Sequence, residues 1–196
     1  MLHALIQWLV DTVGAFGYPG IFLLMGLESS FFPFPSEVVM IPAGYLAQQG
    51  EMNLFVVIFM GILGSLFGAW VNYALARTLG RSALLRWGKW LFLPPEKFER
   101  VEAYFRRHGE IGTLIGRMIP VVRQYISFPA GLVRMDILRF SFFTGMGAGI
   151  WVTILTLIGY FVGENKELVQ AWSQTALFWV VVGCGIILLG YWKFRE

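Results

Sequence analysis

Charge is scarce in this chain. Of its 196 residues only 14% are Asp, Glu, Lys or Arg, while 57% are hydrophobic. Soluble domains carry about 25% charged residues, and a soluble fold of this length could not bury so much apolar surface. A single cysteine, Cys184, excludes a disulfide framework and a thiolate metal cluster; lying in an apolar run, it reads as an inert buried thiol. Two histidines, His3 and His108, leave little for histidine-dependent phosphatase chemistry. His108 follows Arg106-Arg107 and reads as a solvated loop residue. The first 17 residues hold no Lys or Arg, and Asp11 interrupts their apolar stretch, so they do not read as a cleavable signal peptide. No nucleotide-binding loop, nucleophile triad or metal-ligand spacing stands out, and no metal or other cofactor is expected. The net charge of +3 is too small for a nucleic-acid binder, and it is clustered: eight of the fifteen Lys and Arg lie between Arg77 and Arg107. Such clustering marks a membrane-facing cytoplasmic loop.

What the chain has in abundance is apolar sequence, with 18 Phe and 8 Trp of the kind that anchor helices at membrane interfaces. Leu2, Leu5, Ile6, Leu9, Val10 and Val13 share one helical face opposite Gln7, Asp11 and Thr12, which predicts an interfacial helix over 1–17. Residues 18–49 are hydrophobic but interrupted by Pro33, Pro35 and Pro42, with Glu28 and Glu37 near the middle. Arms over about 20–32 and 36–48 span roughly 20 Å each at 1.5 Å per residue, short of the roughly 30 Å hydrocarbon core. A re-entrant hairpin is therefore expected, its broken backbone surrounded by protein or a wet cavity. Residues 52–76 read as a full span with Gly61, Gly64 and Gly68 at a helix contact, and 77–108 as the basic cytoplasmic loop, with a short charged helix starting at Pro94-Pro95. Residues 110–133 repeat the first problem: Arg117, Arg123, Pro120 and Pro129 punctuate an apolar segment, predicting a second re-entrant hairpin. Spans over 137–162 and 174–192 complete the chain. The positive-inside rule places the basic loop and the C-terminus in the cytoplasm; the N-terminus lies outside if the first helix is interfacial and inside if it spans.

The two hairpins align at a shift of 87 residues. Leu27 falls on Leu114, Pro33 on Pro120, Pro42 on Pro129 and Ala43-Gly44 on Ala130-Gly131. One span separates the copies, so they enter from opposite faces, as in secondary transporters whose inverted repeats meet at broken helices. The expected fold is thus an all-α polytopic membrane protein: an inverted repeat of two facing re-entrant hairpins, three full transmembrane helices and an N-terminal interfacial helix.

Four ionisable residues lie in the hairpins: Glu28, Glu37, Arg117 and Arg123. Each costs about 2.5–3.5 kcal/mol at a helix centre, so partners, water or a function must offset them. Two arginines beside broken-helix N-termini suit phosphate oxygens. Carboxyls in apolar surroundings resist ionisation, which suits proton carriers. The residues therefore point to a phosphate-bearing lipid bound by Arg117 and Arg123, with Glu28 and Glu37 coupling its movement to protons. The plainer alternative is Glu–Arg pairing that merely pins the hairpins together.

These residues also carry a family likeness. Leu27-Glu28, Phe34-Pro35-Ser36-Glu37 and Pro42-Ala43-Gly44 resemble the first signature of the DedA family, the bacterial branch of the SNARE-associated/VTT group. Gly116-Arg117-Met118-Ile119-Pro120-Val121-Val122-Arg123, followed by Pro129-Ala130-Gly131, resembles the second. Gly68 through Asn72-Tyr73, Arg77 and Gly80 is similar to its middle segment, and Trp151, Gly159-Tyr160 and Gly163 to the following span. The resemblance covers about residues 5–165. It implies transport rather than catalysis: recycling of undecaprenyl phosphate across the bacterial inner membrane, with Glu28 and Glu37 as essential acids and Arg117 and Arg123 as essential arginines. Several members have Pro-Gly-Asp where this chain has Pro-Ser-Glu. Alternatives are a proton-coupled small-ion or drug antiporter and a phospholipid scramblase. Association of like chains is compatible with either sequence reading.

Overall fold

The computed structural model describes residues 2–30, 35–87, 95–119 and 122–162. The expected span over 174–192 lies outside these residues, as do Pro33 and Pro120. Every regular element among the described residues is an α-helix: α1 (Leu2–Glu28), α2 (Glu37–Gln48), α3 (Leu54–Trp87), α4 (Pro95–Met118), α5 (Val122–Tyr125), α6 (Ser127–Leu132) and α7 (Ile137–Val162).

Three helical segments are long and apolar enough to cross a bilayer: Val10–Glu28, Leu54–Leu79 and Ile137–Phe161. Their outer faces display Phe55 (79% exposed), Leu138 (76%), Phe161 and Phe142. Such large bare apolar side chains suit hydrocarbon rather than water. The chain is a membrane protein.

Two expectations need revision. The arm before the first break follows a bend at Gly17 and ends earlier than expected. Gly17 sits at φ 58°, ψ −153°, a conformation open to glycine, and bends the chain. Pro19 then lies in the first turn beyond the bend, where a missing N–H does little harm. Two helices therefore meet at the bend, the second running over 18–28, about 16 Å, and the apolar stretch Val10–Glu28 crosses the bend. It ends at Glu28, earlier than about residue 32. The basic segment 77–108 is also more helical than a loop. α3 continues to Trp87 and α4 begins at Pro95. A 34-residue helix is about 51 Å long, so its basic end extends past any hydrocarbon slab. α4 bends at His108 (φ −134°, ψ 30°) and supplies the first arm of the second broken unit, whose second arm is divided into α5 and α6.

α1 packs on α3 and α4 on α7. The second arms cross over: α2 packs on α7, and α6 on α3. α3 and α7 lie against each other in the centre. One apolar core joins α1, α2, α3 and α7 around Ile21, Met25, Met40 and Val152. Another joins α3, α4, α6 and α7 around Tyr73, Phe105 and Phe140, with the Tyr73 and Phe140 rings stacked at 4.9 Å.

Both second arms end alike. Gly50 (φ 79°) and Arg134 (φ 54°) occupy left-handed positions. The next amide reaches back five residues: Glu51 N to Leu46 O and Met135 N to Ala130 O, each 3.0 Å, a Schellman closure. The following helix is then capped by an Asx side chain. Asn53 Oδ1 accepts from Phe55 N and Val56 N, and Asp136 Oδ1 accepts from Leu138 N and Arg139 N.

Glycines allow the helices to touch backbone to backbone. A Cβ on Gly44 would strike the Thr156 carbonyl of α7, and one on Gly131 the Tyr73 carbonyl of α3. Gly64 and Gly68 face the Phe22 and Gly26 carbonyls of α1 in the same manner. Gly44→Leu should therefore lower thermal stability in detergent by at least about 1–3 kcal/mol through overpacking. Gly145→Ala, whose new methyl meets nothing nearer than Leu66 at 3.6 Å, should leave the melting temperature close to wild type.

Candidate functional site

Residues flanking the two breaks in the chain come together beside Asn72 of α3. At the end of α1, Ser29 N donates to Met25 O and Ser30 N to Leu27 O, leaving their own carbonyls beyond the helix. Asn72 of α3, fully buried, donates from Nδ2 to Ser29 O (3.2 Å), Ser30 O (2.7 Å) and Gln124 O (3.2 Å). One side chain thus serves carbonyls from both breaks, supplying the partners that unwound backbone needs at membrane depth.

Arg123, in the short helix α5, is held from three sides. Its Nη2 makes an ion pair with the buried Glu28 carboxylate and donates to Ser36 Oγ at 2.8 Å. Its guanidinium lies 5.2 Å from the centroid of the Trp151 ring, within cation–π range. Trp151 Nε1 also donates to Ser36 Oγ, at 3.1 Å. Ser36 stands at the N-cap of α2 yet makes no capping bond, because its hydroxyl serves Arg123 and Trp151. Ser29 donates to the other Glu28 oxygen at 2.9 Å. Residues from α1, α2, α5 and α7 therefore converge on a single guanidinium.

Arg117, 3% exposed, reaches the same place from α4. Its Nη2 donates to Ser127 Oγ at 3.1 Å, while its Nε has no partner among the described residues. Glu28, Ser29, Ser65, Arg117, Arg123, Ala148, Trp151 and Val152 enclose a cavity of about 10 Å³, room for one water at most. Two guanidiniums and one carboxylate line it, so the enclosure carries a surplus positive charge, since arginine stays protonated in proteins.

Of the four charged residues singled out from the sequence, the fold brings Glu28, Arg117 and Arg123 to one cavity and leaves Glu37 outside its lining. Glu37 is half-buried in the first turn of α2. Its neighbour Ser36 takes the inward direction, and consecutive helical residues point about 100° apart. Sequence reasoning missed Ser36, Asn72, Trp151 and Ser127 as polar parts of the site. Asn72 and Trp151 had a signal, each being a hydrogen-bonding side chain inside an otherwise apolar span.

Removing one member of a buried ion pair leaves the other uncompensated, at a cost of about 3–5 kcal/mol. Glu28→Gln should therefore destabilise the protein by that order in thermal unfolding. The double variant Glu28→Gln/Arg123→Gln should regain part of the loss. Trp151→Phe, which keeps the ring and removes the bond to Ser36, should cost only about 1 kcal/mol.

No solved structure matches the chain. Three bacterial proteins are similar to it. It is 27% identical over 187 residues to undecaprenyl phosphate transporter A of Staphylococcus aureus, covering 92% of both chains. It is 32% identical over 186 residues to a protein named alkaline phosphatase-like in Lactococcus lactis, covering 92% of this chain and 87% of the relative. Inner membrane protein YqjA of Escherichia coli is 32% identical over 158 residues, 79% of this chain and 71% of that one. The VTT domain matches residues 34–161, which contain both arginines, Asn72 and Trp151. This membrane protein therefore belongs to the VTT-domain family, the DedA group whose signatures stand at its two helix breaks.

Proposed function

We propose that the protein is a transporter that carries a phosphate-bearing lipid, undecaprenyl phosphate, across the bacterial inner membrane, with proton movement coupled to it. The observation that carries this reading is the surplus positive charge in a buried cavity: Arg117 and Arg123 against Glu28 alone. A phosphate group would complete that balance and satisfy the free Arg117 Nε, and guanidinium forks suit its oxygens. The transporter relatives named for undecaprenyl phosphate, in Staphylococcus aureus and Bacillus subtilis, supply the lipid.

The broken units α1–α2 and α4–α6 act as facing re-entrant hairpins of an inverted repeat. Support comes from the exchanged packing, with each second arm on the other unit's span. Gly44 meets α7 between Thr156 and Tyr160, and Gly131 meets α3 at Tyr73; the pairs Gly44/Gly131 and Tyr73/Tyr160 are each 87 positions apart. Ser36 and Arg123 are also 87 apart, and they are hydrogen-bonded. Repeat-related residues touch near the axis relating them, and this contact supports an axis beside Arg123. The basic segment 77–108 faces the cytoplasm.

At rest Glu28 occupies Arg123, and the cavity is too small for phosphate. Substrate binding exchanges one anion for another: phosphate oxygens take the Arg123 donors, and the displaced Glu28 carboxylate takes up a proton rather than stand charged and unpaired in an apolar site. Glu37, at the open end of α2, is the proton's route. The lipid tail remains in the bilayer. When the phosphate leaves, Glu28 releases the proton and closes on Arg123 again.

Flipping of labelled undecaprenyl phosphate in proteoliposomes, with and without a proton gradient, tests this. Wild type should accelerate flipping, and a gradient should change its rate. Arg123→Ala should lower the rate by at least about tenfold, the loss of one charge-assisted bond of about 1.5–3 kcal/mol. Glu28→Gln should remove the response to the gradient. Release of inorganic phosphate from the lipid would identify a phosphatase instead. Full activity in both variants would end the proposal.

A further inference from the structure

A second cluster of cations lies outside the buried site. The bend of α4 at His108 and the turn between α6 and α7 enclose an open cleft of about 790 Å³, lined by Arg106, Arg107, His108, Glu110, Asp136 and Arg139. Phe105, Ile111, Val133 and Met135 give it an apolar floor. Asp136 is engaged as the cap of α7. Glu110 pairs with Arg139 at 2.8 Å. Arg107 and Arg139 thus line the cleft beside its apolar floor, with Glu110 already on Arg139.

The cleft and the buried cavity share a feature, a carboxylate that occupies an arginine. The pairs differ in exposure. Glu28 and Arg123 are almost wholly buried, whereas the Arg139 and Glu110 side chains are 68% and 42% exposed. An exposed pair is worth about 0–1 kcal/mol, so an incoming dianion can replace Glu110 easily, whereas replacing Glu28 means opening the core. α4 contributes to both, with Arg107 and Glu110 at the cleft and Arg117 in the cavity. Ten residues of α4 separate Arg107 from Arg117, with the bend at His108 between them.

We propose that the cleft between the α4 bend and the α6–α7 turn is an outer binding site for a phosphate monoester, held by Arg107 and Arg139 with its apolar portion on the Phe105–Met135 floor. It is the station through which the phosphate group passes on its way to or from Arg117. That direction of transfer rests on the proposed transport function; the existence of the outer site does not.

Binding decides it, measured by calorimetry on the full chain in phosphatidylcholine nanodiscs, with dodecyl phosphate and inorganic phosphate as probes. Wild type should bind dodecyl phosphate. Arg107→Gln/Arg139→Gln should weaken binding about tenfold, and Glu110→Gln should tighten it severalfold by freeing Arg139. Tighter binding of dodecyl phosphate than of inorganic phosphate assigns the site to a lipid head group. Equal binding assigns it to free phosphate. No binding by wild type, or binding that survives Arg107→Gln/Arg139→Gln undiminished, overturns the proposal. Failure of wild type to flip undecaprenyl phosphate would instead remove the transport reading and leave the outer site standing.

Discussion

A guanidinium removed from water is the constraint around which the rest of this structure is arranged. Arg123 gains a carboxylate from α1, a hydroxyl from α2 and an aromatic face from α7. No single helix could supply that set, because neighbouring positions on one helix diverge. The chain has to break twice inside its apolar sequence so that the ends of four helices meet. The breaks in turn expose backbone carbonyls, and Asn72 meets those at Ser29, Ser30 and Gln124. Charge and broken backbone are therefore solved together: the unwound segments that place Glu28 and Ser36 beside Arg123 are stable because α3 offers an amide between them.

Much of this was legible in the sequence, for a physical reason. Charges and prolines are rare in membrane helices, so Glu28, Arg117 and Arg123 stood out against their surroundings, and the breaks near residues 29–36 and 119–126 were announced by Pro35 and by the arginine signature. The cap residues Asn53 and Asp136 fell where the spans begin. Other features were not readable. Gly17 bends α1 without ending it, and composition does not distinguish a bend from a stop. Glu28 and Glu37 looked equivalent along the chain, but the start of α2 turns Ser36 toward Arg123 and leaves Glu37 aside. The length of α3 beyond Ala76 was hidden because basic residues mark the edge of the hydrocarbon, not the end of the helix.

The cavity and the outer cleft illustrate how burial sets the strength of the same chemistry. Each contains an arginine already occupied by a carboxylate. In the cavity the low dielectric makes an unpaired charge costly, so occupancy must be exchanged rather than vacated. In the cleft water screens the pair, and the same exchange is nearly free.

The glycine contacts have a consequence for how such a molecule can move. Backbones that touch at Gly64 and Gly68 join α1 to α3, and Gly131 joins α6 to α3. Gly44 and Gly159 join α2 to α7, and Gly147 brings α4 onto α7. Helices meshed so tightly have no side chains to re-pack as they shift, so each trio travels as one block. Between the blocks the fit is made by side chains such as Ile62 against Gly149 and Leu66 against Gly145, which can roll. Were the proposed transport to proceed by rocking, the plane between α3 and α7 would be the one to shear, and Arg123, which bonds Glu28 on one side and faces Trp151 on the other, would be the clasp to undo.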